Sequence, residues 1–387
     1  MRIVSVRRHA AVLSLLAVGL LISGSASAAS AAAAVTSGQV RAWGYNWHGQ
    51  LGDASEQQQR TSVPVPEVTD AVAVAAGYNH SLALRADGTV WAWGSNDEGQ
   101  LGDGTPNDRM HPVRVPGLTG IVAIDAGAYH SMALTANGQV YAWGSNDFGQ
   151  VGNGQSANQI SPVLVAYQAK AIAAGDNHSM ALTQGGGVLT WGANSVGQLG
   201  DGTTTNRNTP ADVPELLGVV AIAGGGGHSL AVLADGQVQS WGWNAQGQLG
   251  DGTTTSRTSP ALVPGLSGVT SVSAGGHHSV ALRSDGTVAA FGYNFDGQLG
   301  DGTNEQRSTP VTVSDLTGVK AIVAGYAHNV ALLQDGTVAS WGFNQYGALG
   351  DGTTTDSNLP VTATGLSGVI AVGAGWQHSL AVKEILK

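Results

Sequence analysis

The chain has 387 residues, of which 42% are hydrophobic and only 11% charged, with no cysteine and a formal net charge of −10. The missing cysteines remove disulfides, thiol chemistry and cysteine-ligated metals from consideration. The acidic balance removes the basic footprint that displaces counterions from nucleic acid, and it disfavours an anionic membrane surface for the same reason.

Arg2, Arg7 and Arg8 open the chain as a short basic segment. An apolar run follows from Ala10 to Ile22, and Ser25-Ala26-Ser27-Ala28 supplies small residues. That order predicts a secretory signal peptide over residues 1–28. The apolar run is shorter than the roughly 20 residues a membrane span requires. Residues 29–35 read as a short Ala-rich linker, and 36–387 as one repeat domain. Three of the sixteen Lys and Arg lie in the leader, so the rest of the chain sets thirteen bases against twenty-six acids. The expectation is an exported, extracellular monomer, with a core large enough to fold without disulfides.

Fifty-eight glycines at regular intervals direct attention to a repeat. Trp43, Trp93, Trp143, Trp191, Trp241, Phe291 and Trp341 each precede a glycine, at spacings of 50, 50, 48, 50, 50 and 50. His80, His130, His178, His228, His278, His328 and His378 form a second ladder with the same spacings. Within a unit, Val72-Ala73-Val74-Ala75, Ser81-Leu82-Ala83-Leu84 and Val90-Trp91-Ala92-Trp93 read as strands, the last two split by an Asp87-Gly88 hairpin signal. Pro112-Val113-Arg114-Val115 suggests a fourth strand, at an edge where proline is tolerated. Four short strands repeated seven times predict an all-β, seven-bladed propeller. The first unit begins at Ser37-Gly38 with the strand after the hairpin, and the last ends at His378–Val382 with the strand before it. Pairing of these N- and C-terminal strands is expected to close the ring without an open edge.

Several repeated elements imitate functional motifs. Gly-Gln-Leu-Gly-Asp-Gly-Thr at 247–253 resembles a phosphate loop but lacks the lysine and following helix, so a turn is expected. Gly224–Gly227 carries no dinucleotide fingerprint. The histidines head strands in different units, too widely separated for a metal site, and are expected to be neutral rings bonded to loop backbone. Asp103, Asp201, Asp251 and Asp301 precede Arg109, Arg207, Arg257 and Arg307 by six residues, a spacing that suits an ion pair stapling the loop rather than calcium. No cofactor or metal is expected.

Residues common to all units maintain the scaffold, which leaves function to the positions where units differ. The A-G-x-x-H and W-G-x-N-x-x-G loops should share the rim opposite the Asp-Gly turns. Their variable positions hold Tyr45, Trp47, His48, Phe148, Trp243, Tyr293, Phe295, Phe343 and Tyr346 in one loop set, and Tyr78, Tyr129, Tyr326 and Trp376 in the other. Asp97, Glu98, Asp147, Asp176 and Asp296 add acidity. Exposed Trp and Tyr on a rigid frame anchor protein interfaces; the competing reading is that the rings pack between units.

The units W-G-x-N-x-x-G-Q-L-G-D-G-T and A-G-x-x-H-S-x-A-L resemble RCC1 (regulator of chromosome condensation) repeats over essentially everything after the leader. The resemblance implies a seven-bladed propeller, without fixing an activity. Its eukaryotic namesake is a nucleotide-exchange factor for the GTPase Ran, a partner that export would place out of reach. Similar secreted bacterial propellers include an inhibitor that grips β-lactamase with aromatic and acidic loop residues on one face. This sequence departs from that inhibitor in the longer polar stretch of nearly every unit. The expected function is a non-catalytic, protein-binding propeller, with a β-lactamase-like extracellular enzyme as a candidate partner. The alternative is a carbohydrate-binding or carbohydrate-active propeller, in which carboxylates such as Asp97, Glu98 and Asp147 would serve as acid and base.

Overall fold

The computed structural model describes residues 36–385; the expected leader and linker lie outside the described residues. Among the described residues there are twenty-eight strands and no helix. They group in fours, each unit running from an innermost strand such as Ala71–Ala76, through His80–Arg85 and Val90–Gly94, to an outer strand such as Arg109–Arg114. Five groups are separate four-stranded sheets, and the other eight strands form one continuous sheet. The two groups in that larger sheet are linked by a single pairing of Gly38 with Ala71. One of them is assembled from both chain ends, as Gly38–Gly44 pairs antiparallel with His378–Glu384 from Gly38↔Glu384 to Gly44↔His378.

Local chemistry accounts for each strand. The second strand, His80-Ser81-Leu82-Ala83-Leu84, is buried on both faces because a neighbouring unit covers each side, and it reads as a continuous run rather than an alternation. The hairpin after it is a three-residue loop, Ala86-Asp87-Gly88, closed by Arg85 N–H donating to the Thr89 carbonyl (2.9 Å). Gly88 takes the left-handed φ of 77° that this loop type demands. The outer strand is largely exposed and carries a proline, which blunts an edge that would otherwise invite pairing.

Apolar side chains form seven clusters, each shared between neighbouring units. A ladder tryptophan lies in six of them, and Phe291 in the remaining one. Trp93, fully buried, donates its indole N–H to the Gln50 carbonyl of the preceding unit (2.8 Å), and the Ser81 hydroxyl donates to the same oxygen (2.8 Å). The Ser81 oxygen also lies 2.9 Å from His378 Nε2, in the same preceding unit as Gln50. Ser81 has one proton and gives it to the carbonyl, so His378 must donate from Nε2. One unit proves the tautomer by substitution. There Asn329 replaces serine, its Oδ1 accepts from His278 Nε2 (2.9 Å), and its amide donates to the Gln298 carbonyl (2.8 Å).

The expectation that the histidines bond loop backbone is therefore corrected: each bonds a side chain of the next unit. His80 reaches Ser131, His130 Ser179, His178 Ser229, His228 Ser279 and His328 Ser379, and His378 returns to Ser81. Their Nδ1 atoms are buried without a partner, so a second proton would have no acceptor. Burial accordingly pushes these rings down, to about 3 at His80 and about 4 at His178.

The polar stretch is likewise scaffold. Asn96 donates to the Thr105 (2.7 Å) and Asn107 (3.0 Å) carbonyls while accepting from Leu101 N–H (2.9 Å). The four expected ion pairs all form: Arg109–Asp103 (2.6 Å), Arg207–Asp201 (3.3 Å), Arg307–Asp301 (2.9 Å) and Arg257–Asp251. Gly-Gln-Leu-Gly-Asp-Gly-Thr is a turn whose aspartate accepts from the threonine N–H and hydroxyl, as Asp251 does from Thr253 (2.9 and 2.8 Å).

Candidate functional site: the loop face

The two variable loop sets meet at one rim, as their spacing predicts. Ser95 N–H donates to Asn79 O (2.8 Å), Ser145 to Tyr129 (2.8 Å) and Tyr45 to Gln377 (2.9 Å), tying each W-G-x-N loop to the A-G-x-x-H loop of its own unit. A further circuit of backbone bonds joins the units to one another. Tyr78 donates to Ala128 O, Ala128 to Asp176, Asp176 to Gly225, Gly226 to Gly275, Gly276 to Tyr326, Tyr326 to Gly375 and Trp376 to Gly77, all within 3.0–3.2 Å. The loops are thus held rigidly before any ligand arrives.

The first variable position of A-G-x-x-H lines the central mouth and is occupied by Tyr78, Ala128, Asp176, Gly226, Gly276, Tyr326 and Trp376. Large residues stand on one side and small ones on the other. Tyr78 stacks on Trp376 (5.7 Å, 21°) and meets Tyr129 (5.4 Å) and Tyr326 (5.5 Å) edge-on. Its hydroxyl crosses to donate to Asp176 Oδ2 at 2.6 Å. Tyr326 lies over Gly276, where a β-carbon would stand 2.5 Å from its ring, and its hydroxyl lies 3.0 Å from His277 Nε2. Beneath these residues runs an axial cavity of about 1080 Å³ lined by the innermost strands. Tyr78, Trp376 and Tyr326 plug its loop-face end, a role the sequence did not reveal.

Electrostatics follow from that burial. Desolvation raises Asp176 to about 6, against the opposing effect of the Tyr78 hydrogen bond. Desolvation and then the Asp176 charge lift Tyr78 well above the usual phenol range. Burial lowers His277.

Around the plug the rings form one connected group. Trp47 packs on Tyr45 (5.3 Å), Tyr45 on Tyr346 (5.0 Å) and Trp376 (6.3 Å), and Tyr346 on Phe343 (6.2 Å). On the other side His277 meets Tyr326 (5.3 Å), Trp243 (4.7 Å) and Tyr293 (6.3 Å), and Tyr293 meets Phe295 (4.9 Å). Phe148 stands apart from the group.

The structure therefore sorts the sequence-predicted residues into supports and tips. Tyr45 is buried beneath Trp47, Tyr346 and Trp376 and offers no contact area. Tyr78, Tyr326, Trp376, Trp243, Tyr293, Phe343 and Tyr346 are partly buried. Trp47 (64% exposed), Phe295 (63%), Phe148 (44%) and Tyr129 (38%) project outward. Asp97 and Asp147 are exposed, whereas Glu98 is partly covered and accepts from the Asn158 amide of the next unit. His277, which joins two halves of the aromatic group, was missed among the repeated histidines. Its signal was its extra occurrence before His278, at a variable position.

The geometry defines a repeat propeller with a fixed joint between units and a variable loop face, and sequence comparison names the family. The RCC1-like domain model matches residues 14–272, and models of the regulator of chromosome condensation (RCC1) repeat match 285–332 and 335–382. The chain belongs to the RCC1-repeat family. No curated protein sequence matches it. Among solved structures it is similar to human WBSCR16, with 26% identity, a TM-score of 0.82 and coverage of 90% of this chain and 99% of that one. It is also similar to Prp20p from Saccharomyces cerevisiae, at 27% identity, TM-score 0.80 and coverage of 92% and 93%, in a study of that protein's binding to Gsp1p and histones. The same yeast protein bound to Kap60 aligns at 25% identity and TM-score 0.80, covering 95% and 96%.

Proposed function

We propose that this chain is a secreted, closed seven-bladed propeller that docks its loop face onto an extracellular protein and performs no catalysis itself. The observation that carries the reading is the exposure of Trp47, Phe295, Phe148 and Tyr129 on a rim whose backbone is already fixed by hydrogen bonds. Preordered loops lose little entropy on association, and large exposed rings supply the area from which interface anchors are made. Closure is supported by the pairing of the terminal strands and by His378 returning to Ser81. Protein binding is supported by the similarity to Prp20p, described as binding Gsp1p and histones. An extracellular enzyme of the β-lactamase type is a candidate partner, and inhibition by occlusion is the candidate effect.

The test is binding of the purified propeller to an array of extracellular proteins, β-lactamases included, beside an array of extracellular glycans. The reading expects saturable binding to a protein that the W47A/F295A double variant loses. Binding confined to glycans, or protein binding that the double variant retains in full, would contradict it.

A further inference from the structure

Neither loop set on this face contains a single lysine or arginine, although the chain has sixteen such residues. The same loops carry Asp97, Glu98, Asp147, Asp176 and Asp296. Arg60, on an outer strand, lies against Gly347 at the edge of the face. The other outer-strand arginines of this rim, Arg109, Arg207, Arg257 and Arg307, are held by aspartates of their own units. Of the face's two variable-position histidines, His48 sits 3.3 Å from Asp108, and burial disfavours the charged form of His277.

The acids are distributed unevenly. Exposed Asp97 and Asp147, with Glu98, lie on two consecutive units that also present Tyr129 and Phe148. At another joint the charge of Asp356, whose Oδ1 accepts from Asn344 N–H, adds to burial in raising Asp296, beside exposed Phe295. The corresponding contacts elsewhere pair Glu98 with Asn158 and His48 with Asp108, which are compatible partners. An unneutralised acidic rim interspersed with bare ring faces is complementary to ammonium and guanidinium groups, which gain both charge pairing and ring-face attraction.

Building on the protein-docking reading, we infer that the partner presents a basic surface: a loop bearing Lys or Arg beside an aromatic or aliphatic tip. The rings take the tip and the acids of the two consecutive units take the cations. Acidic protein surfaces are repelled by the same field, which reaches about 8 Å at physiological ionic strength, while neutral ones gain nothing from it.

The experiment uses the propeller against a phage-displayed library of disulfide-constrained random loops, in three forms: wild type, D97K/E98K/D147K, and W47A/F295A. Thermal unfolding of each variant checks that the scaffold is intact. The expected result is at least tenfold enrichment of Lys- or Arg-bearing loops on the wild type, a switch to Asp- and Glu-bearing loops on the charge-reversed form, and loss of the wild-type loops on W47A/F295A. Association of the enriched basic loops should slow by about tenfold between low and physiological salt. Neutral or acidic loops enriched on the wild type and lost on W47A/F295A would overturn the basic-partner inference while leaving the docking reading standing. Failure to enrich any loop, or loops that bind W47A/F295A as well as wild type, would overturn both.

Discussion

The joint between units and the loop face above it are built from neighbouring residues, yet they obey opposite rules. At the joint, Trp, His, Ser and the Gln carbonyl recur with three substitutions among the amino acids: Phe291 for tryptophan, which packs without an N–H, Asn329 for serine, which keeps both hydrogen bonds, and Ala348 for glutamine, whose carbonyl serves equally. Every polar group there is buried, so a change that leaves a partner unpaired carries its full desolvation cost. A few residues away, the first variable position of A-G-x-x-H ranges from glycine to tryptophan without disturbing the backbone circuit. Stability is invested where the repeat is strict, and chemical variety is confined to positions whose backbone is already satisfied.

Acid should separate the two regions most strongly. Seven joint histidines are held at about 3 to 4, below the unfolded value near 6.5. Between those values the unfolded chain binds more protons than the folded one, so stability rises with pH through this window and is lost as pH falls. Each histidine contributes about 1.4 kcal/mol per pH unit well below 6.5. Denaturant unfolding at pH 7, 6 and 5 should therefore show a steep decline with uptake approaching seven protons; a flat profile would contradict neutral, buried histidines.

Single substitutions sharpen the contrast. His228→Ala removes the donor to Ser279 and opens a cavity, and should cost about 2–4 kcal/mol in denaturant unfolding. His277→Ala, on the loop face, should cost less than half as much. Equal losses would erase the distinction between joint and face.

A smaller effect of opposite sign is expected at the plug. Asp176 titrates near 6 in the fold, above the usual carboxylate value near 3.9, so burial of its charge destabilises the protein at neutral pH. Protonation relieves that penalty as pH falls through 6 toward 4. Asp176→Asn keeps an acceptor for Tyr78 and should raise stability at pH 7 by about 1–2 kcal/mol, a gain that vanishes by pH 4. A loss at pH 7 would show that the carboxylate charge is needed to hold Tyr78 in place.

Much of this architecture was readable from the residues. The two ladders predicted the strands, the complementary chain ends predicted the Gly38–Gly44 pairing with His378–Glu384, and the Asp–Arg spacing predicted four ion pairs. The hidden features are those created by contacts between units. His80 and Ser131 lie 51 positions apart and meet only when adjacent units pack. Tyr78 and Asp176 are 98 apart and meet only across the central mouth. Tyr45 and Trp47 occupy the same loop, and periodicity alone could not reveal that one would be buried under the other.

The most direct test pairs stability with binding in the same two variants. W47A/F295A should leave unfolding free energy within about 0.5 kcal/mol of wild type yet weaken partner binding by thirtyfold or more, the range of interface anchors. His228→Ala should lose stability while binding normally under conditions where it remains folded. If W47A/F295A instead unfolds early, or binds as wild type does, the division between a repeated joint that holds the fold and a variable face that engages a partner is wrong.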